Sequence, residues 1–309
     1  MTIHPCYVGC DVSKAHLDLF HPGTGQLARI ANTEPAIEDW LDGQALQGLF
    51  IVHEATGHHD RVLRQVLARH GIASARLNPM MAKRFAQATG QRAKTDAIDA
   101  RVLSRLGASL HPPADPPGCA RRERLVALVR LRDQLVDNRA KERQRLSAVF
   151  LDEIAAVHRE MIDLLNERID RVERQIREAI QSDRQMAERA ALLDSVPGIG
   201  PVSAATLIAL MPELGQANPK KLAALAGLAP FNHDSGALRG HRKIAGGRRR
   251  VRHALYMTAI SAARFNPKVR HTYDTLIEKG KPAKLALIAV ARKLLVIVNA
   301  IIRDQKAFA

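Results

Sequence analysis

Through the first hundred residues, short runs of alternating or continuous apolar side chains are set between polar turns. Residues 7–11 read as a strand, and residues 16–20 alternate apolar and polar as a hairpin partner would. Residues 26–32 supply a third strand signal, and 34–46 carry a helical pattern. The apolar run 49–52 is a short buried strand that ends at Glu54. A helix over 59–70 leads into a strand at 72–77, after which Asn78 and Pro79 supply a cap and an N1 proline for another helix. Thr95 is placed to cap the next helix, which carries Asp96 and Asp99. A strand meander followed by alternating strands and helices predicts an α/β domain.

The stretch 111–118, HPPADPPG, holds four prolines, which no helix can cross. It predicts a stiff linker closing a first domain at residues 1–118. From residue 121 to about 185 there is no glycine or proline, and Ile162, Leu165, Ile169, Val172, Ile176 and Ala179 follow a heptad spacing. Upstream, Leu128, Leu131 and Leu135 are followed by the polar Asn138 and Glu142. Two long helices forming a coiled-coil arm are expected over 119–186; the spacing leaves open whether they pair within one chain or between two.

Residues 187–309 read as all-helical, with helices at 187–194, 202–211, 219–226, 249–265 and 283–302 around a Gly- and Arg-rich loop at 227–247. Residues 285–302 are apolar enough to suggest a membrane span, but Arg292 and Lys293 stand at its middle. Two charges there favour a buried amphipathic helix and no membrane association. A strand pattern begins at once at the N-terminus, so no signal peptide is expected.

Charge changes this picture most. Forty-seven Lys and Arg against thirty-one Asp and Glu give a net charge of +16. A surplus of that size favours a polyanionic partner, nucleic acid or an anionic membrane surface, over a merely basic soluble protein. Only eleven residues are aromatic, few for stacking single-stranded bases, so double-stranded DNA held through its phosphates fits better. Three cysteines, Cys6, Cys10 and Cys119, make no disulfide framework and suit a reducing cytoplasm; Cys6 and Cys10 share a strand face as small hydrophobes.

Asp11 and Glu54 both end buried strands, where side chains converge on a cleft. Asp96 and Asp99, three apart on a helix, project from one face. Four clustered carboxylates repel one another unless a divalent cation neutralises them, and oxygen ligands alone select Mg²⁺, with Mn²⁺ able to substitute. Singly, each acid has a plainer reading: Asp11 as a turn residue, Asp96 as a second helix-cap acid. It is the combination that is specific.

Ser235 sits before Gly236, in a turn that exposes a hydroxyl, and Arg239, Arg242, Lys243, Arg248, Arg249, Arg250 and Arg252 follow. The arginines suit nucleic-acid binding and a phosphodiester's charge, although a Ser-Gly pair alone is more often only a turn. VPGIGP at 196–201 resembles a helix-hairpin-helix motif, in which Gly198 and Gly200 let backbone N–H groups approach phosphate; a plain helical turn is the alternative. His58 and His59 point apart on a helix and suit surface or substrate contact better than chelation, while His53 faces the core.

Three blocks, YVGCDVSK at 7–14, HEATG at 53–57 and KTDAIDA at 94–100, resemble those of the DEDD transposases of the insertion sequence 110 family, which includes Piv-type DNA invertases. GLAPFNHDSG at 227–236, with Gly246, Gly247 and VRHALY at 251–256, is similar to that family's C-terminal transposase block. The resemblance runs along essentially the whole chain. It implies an RNase H-type, RuvC-like N-terminal domain in which Asp11, Glu54, Asp96 and Asp99 bind Mg²⁺, and a C-terminal domain in which Ser235 forms a transient covalent phosphoserine link to DNA. It also implies a homo-oligomer, dimer or tetramer, bridged partly by the coiled coil, in which acids of one protomer act with the serine of another. A structured non-coding bridge RNA would pair with donor and target DNA; the charge of +16 only accommodates it.

Two other readings share these residues. A RuvC-type Holliday-junction nuclease would use the same acids with water as nucleophile. A non-catalytic nucleic-acid-binding protein on a decayed nuclease fold has the intact acidic set against it.

Overall fold

The computed structural model describes residues 5–55, 57, 59–90, 96–115, 119–231 and 243–308, with the backbone alone at 96, 97, 231 and 243. The chain divides into two compact units, Met1–Cys119 and Ala120–Ala309.

In the first unit the strand signals become β1 (Cys6–Val12), β2 (His16–His21), β3 (Gln26–Ala31), β4 (Leu49–Glu54) and β5 (Ala73–Leu77). They form one sheet in the order β3-β2-β1-β4-β5. β1 pairs antiparallel with β2, and β2 with β3; β4 runs parallel to β1, and β5 parallel to β4. The helices are α1 (Glu34–Asp42), α2 (Arg61–Arg69), α3 (Pro79–Ala88) and α4 (Asp96–Leu110). α1 stops at Gly43, short of the expected residue 46. α3 starts as its sequence indicates, with the Asn78 side chain accepting from the Met80 N–H and Pro79 at the first helical position.

Side chains alternate across the sheet and build two cores. On one face Val8, Cys10, Val12 and Ile51 pack with Ile37 and Leu41 of α1 and Leu63, Val66 and Leu67 of α2. On the other, Tyr7, Phe50 and Val52 pack with Ala82 of α3 and Leu103 and Leu106 of α4. The first part of the proline-rich stretch is tied back to β5: the Asp115 N–H donates to the Ser74 carbonyl, and its carboxylate accepts from the Arg76 N–H.

The second unit holds α5 (Ala120–Leu146), α6 (Asp152–Gln181), α7 (Arg184–Asp194), α8 (Pro201–Leu210), α9 (Pro219–Leu225), β6 (Pro230–Phe231), β7 (Lys243–Ile244), α10 (Arg249–Phe265), α11 (Pro267–Glu278) and α12 (Ala283–Asp304). α5 and α6 pair within the chain as an antiparallel helical hairpin, one of the two arrangements that the heptad spacing leaves open. Arg132 meets Glu173, Arg139 meets Asn166, and Glu142 meets His158 across it.

The hairpin changes character along its length. Near α7 its seam is apolar, with Leu125, Val129, Val172 and Ile176 buried. Toward the turn the seam turns polar, around the buried Glu142, while Phe150, Leu151, Ile154, Val157, Met161 and Leu164 face outward. α12 is long and apolar enough to cross a membrane. Its Val290, Ala291, Leu294, Leu295 and Val298 are nevertheless buried in the unit's own core, and Arg292 and Lys293 lie on its exposed side.

Candidate active site and nucleic-acid interface

Two glycines decide how α4 lies on the sheet. A Cβ at Gly9 would fall 1.9 Å from the carbonyl oxygen of Ala100 and 2.6 Å from the backbone nitrogen of Ser104. One at Gly107 would fall 2.7 Å from a methyl of Val52 and 3.0 Å from the Tyr7 ring. Backbone therefore lies directly on backbone, and the Ser104 hydroxyl donates to the Tyr7 carbonyl at 2.6 Å. Tyr7 meets Ser104 and Gly107, whereas Gly9 meets Ala100 and Ser104, so α4 runs antiparallel to β1. Two strand residues advance ~6.6 Å, about four residues of helix. That step places Asp11 opposite the first turn of α4, from Asp96 to Ala100.

Asp11 lies on the α4 face because it alternates with the core residues Cys10 and Val12. Glu54 shares that face because it stands in phase with Phe50 and Val52, and the Cys10–His53 register sets it beside Asp11. Asp11, Glu54 and Asp99 are all half-buried. The structure thus brings three of the four acids to one end of one sheet face. Asp96 heads the helix that crosses that face, and its side chain lies outside the described residues.

An acid that the sequence reading passes over, Asp18, is the direct cross-strand partner of Asp11. Arg29 grips its two carboxylate oxygens at 2.8 and 3.0 Å, which relieves the like-charge pairing. The signal was its place between Leu17 and Leu19, on the strand face opposite to theirs.

The donor chemistry suits a hard divalent cation, since every acid offers oxygen alone. The acids line the face without closing a cage: among the described residues no three His, Cys, Asp or Glu side chains are gathered tightly enough to hold a metal ion. Burial, with the Asp11 and Asp18 charges added, pushes the Cys10 thiol far up, so it remains a neutral core group as expected.

His53 is fully buried on the face away from Glu54, and its Nδ1–H donates to the Glu54 carbonyl at 3.2 Å. Burial lowers its pKa against the opposing charge of Asp60, which keeps the ring neutral near pH 7. His58 lies outside the described residues; the carbonyl of His59 accepts from Asn32.

In the second unit α7 and α8 are joined by the glycine-containing turn anticipated from the sequence. Gly198 has φ +99°, and a Cβ there would come within 2.7 Å of the Ala262 nitrogen on α10. Packing of the turn on α10 thus accounts for Gly198. Gly200 differs: it caps α8 ahead of Pro201, is exposed, and has open space where a Cβ would stand.

β6 and β7 pair antiparallel through Pro230–Ile244 and Phe231–Lys243, so the segment between them leaves and returns at neighbouring points. Ser235, Arg239, Arg242 and the Lys243 side chain lie outside the described residues.

The arginines beyond are unlike one another. Arg248 holds Glu213 with two bonds of 2.6 and 2.7 Å and also donates to the Leu210 carbonyl. Burial draws the Glu213 carboxyl up, but the Arg248 bond and charge outweigh it and hold the pKa below the usual range. Arg250 is ion-paired with Asp133 of α5. Arg252 donates to the carbonyls of Gly227 and Gly246, one on each side of the β6–β7 pair. Three guanidinium groups expected to face nucleic acid are thus held by protein acceptors, while Arg249 is exposed.

Comparison with known proteins agrees with this layout. Residues 8–156 match the family described as Transposase, of the IS110 DEDD type, and residues 190–274 match the Transposase IS116/IS110/IS902 family. The pilin gene-inverting protein of Moraxella bovis is 30% identical, over 98% of this chain and 97% of its own length. That of Moraxella lacunata is 29% identical with the same coverage. A 44.8 kDa protein of insertion element IS116 from Streptomyces clavuligerus is 34% identical over 47% of this chain and 36% of its own length. With identity to a gene-inverting protein maintained end to end, and two stretches of the chain matching transposase families, the chain belongs to the IS110 family of transposases.

Proposed function

We propose that this chain cuts and rejoins double-stranded DNA using Mg²⁺ held by Asp11, Glu54, Asp96 and Asp99, with the Ser235 hydroxyl as nucleophile. The observation that carries it is the convergence of Asp11, Glu54 and Asp99 on one sheet face, under a helix that Gly9 allows to lie flat. The strand order β3-β2-β1-β4-β5, antiparallel on one side of β1 and parallel on the other, supports an RNase H-type, RuvC-like fold. The division into a catalytic domain, a coiled-coil arm and a transposase domain belongs to the same reading.

When bound, Mg²⁺ supplies Lewis-acid stabilisation of the phosphate's charge. The carboxylates fix where the scissile phosphate lies. Ser235 Oγ forms a bond to phosphorus as the bond to the departing sugar oxygen breaks, and the serine proton ends on that oxygen. A sugar hydroxyl of the new strand reverses the step, so phosphodiester energy is conserved and no ATP is consumed. Arg249, Gly200 and the basic loop would contact DNA phosphates. Inversion of a DNA segment, the reaction in the name of the Moraxella relatives, is one outcome of such an exchange; insertion of an element is another.

Guidance by a structured bridge RNA rests on the family resemblance, with the charge of +16 compatible with it. Assembly as a homo-oligomer has support in the arm. Ile154, Val157, Met161 and Leu164 form an exposed 3-4-3 stripe on α6, a second seam beside the one that faces α5. Acids predominate on this half of α6 (Asp152, Glu153, Glu160, Asp163, Glu167), and bases on the facing part of α5 (Arg139, Lys141, Arg143, Arg145). The acids beside the stripe would repel DNA from it, which favours a protein occupant, a second copy of the arm.

The test is cleavage of a DNA substrate in Mg²⁺ by the parent and by Ser235→Ala. Loss of cleavage in the variant supports the serine mechanism; full cleavage without a protein–DNA adduct would indicate a water-using nuclease.

A further inference from the structure

We propose that Arg76 and Asp60 are positioning residues for Glu54, acting through the turn that follows it. The proposal rests on the reading of Glu54 as a metal ligand.

Asp60 stands at the N-cap of α2, a position where aspartate usually accepts from the first free N–H groups of the helix. Here it makes no cap bond and has helical φ and ψ. The carboxylate turns inward instead, only 2% exposed, to an ion pair with Arg76 Nε, and lies 3.8 Å from His53 Nδ1. A carboxylate removed from water costs several kcal/mol unless it is paired. The carboxylate thus leaves its own helix uncapped and takes the role of tying α2 to β5.

That role is visible in what else Arg76 holds. It lies on β5 directly across from His53 of β4, the residue before Glu54. Its Nη2 donates to the Gly57 carbonyl at 2.9 Å, where the chain takes a left-handed φ of +63°. The Ala55 N–H donates to the Leu77 carbonyl on the same strand. Residues 55, 57 and 60 are each fastened to β5, two of them by the Arg76 side chain. Asp115, which accepts from the Arg76 backbone N–H, holds the strand from its other edge.

Glu54 is the last residue of β4, so the course of the chain just beyond it sets the direction of its side chain. The Arg76–Asp60 pair fixes that course from the opposite face of the sheet. Groups that orient ligands from behind in this way commonly change metal affinity by ~10- to 100-fold when removed.

The experiment measures Mn²⁺ binding by electron paramagnetic resonance, and the Mg²⁺ concentration for half-maximal DNA cleavage, in full-length parent, Arg76→Gln, Arg76→Lys, Asp60→Asn and Glu54→Gln. Arg76→Gln and Asp60→Asn are expected to weaken Mn²⁺ binding about tenfold and to raise the Mg²⁺ requirement equally, with kcat largely recovered at saturating Mg²⁺. Arg76→Lys restores most of the affinity by keeping a cation on Asp60. A purely structural role would lower the melting temperature without moving the Mg²⁺ requirement. If Arg76→Gln does not fold, Asp60→Asn decides on the same criterion. Folded variants that bind Mn²⁺ within about twofold of the parent, while Glu54→Gln loses binding, overturn the positioning role. Unchanged binding in Glu54→Gln itself overturns the metal reading, and the proposal with it.

Discussion

Gly9 of β1 and Ala100 of α4 touch backbone to backbone: a single added carbon on Gly9 would lie 1.9 Å from the Ala100 carbonyl oxygen. Neither partner can yield by rotating a side chain. Gly9→Ala must therefore lift the helix that carries Asp99 away from the strand that carries Asp11. The expected cost is about 3 kcal/mol of stability, read from urea unfolding of the first unit. Gly107→Ala, whose nearest neighbour is a valine methyl, should cost less. DNA cleavage in the Gly9 variant should fall further than its folded fraction does.

Arg248 and Glu213 supply a pH-dependent contribution to the second unit. The folded Glu213 pKa is depressed below the ordinary glutamate value of 4.5, so its stabilisation is present above that value. It is lost as pH falls through the lower, folded value. Parent and Glu213→Gln should differ at pH 7 by about 1 kcal/mol, a figure reduced for solvent screening. The difference should shrink below pH 4.5. Thermal unfolding across that range measures it, and a difference that grows on acidification would contradict the sign.

Neighbouring arginines should separate into two classes. Arg249→Ala is expected to leave the melting temperature unchanged, and to weaken DNA binding while lowering the salt slope by about one. Arg248→Ala is expected to lower the melting temperature first. Fluorescence titrations at several salt concentrations, beside calorimetry, distinguish the two.

The outward stripe on α6 should govern assembly. Replacing Ile154 and Met161 together by lysine puts charge into the stripe without touching the buried α5 seam. Sedimentation should show a smaller species with an unchanged melting temperature. An oligomer of unaltered size would place the interface elsewhere.

The places of Asp11 and Glu54 on neighbouring strands and of Asp99 on α4 were legible in the sequence, because strand alternation and helical spacing fix which face each side chain takes. Gly9 was not, because nothing in a strand pattern reveals that a helix lies against it. Gly198 showed the reverse, a glycine marked for phosphate whose left-handed φ and contact with Ala262 have a packing cause. α11 was missed although Asn266 and Pro267 repeat the cap and proline that announce α3. Only Val269 among its residues is buried, so the core fixes little of its pattern. The arginine run was legible as charge but not as structure, since the partners Glu213 and Asp133 lie 35 and 117 residues away. Asp60 and Arg76 drew no attention in the sequence because only the fold brings them together.

The central claim joins the carboxylates of the first unit to the hydroxyl of Ser235. Its most direct test incubates the purified protein with DNA in Mg²⁺, stops the reaction in detergent, and maps any DNA-linked peptide by mass spectrometry. The parent should yield a phosphodiester on Ser235, and both Ser235→Ala and Asp11→Asn should yield none while still binding DNA. A Ser235→Ala protein that rejoins strands at the parent rate, or an adduct on another residue, would contradict it.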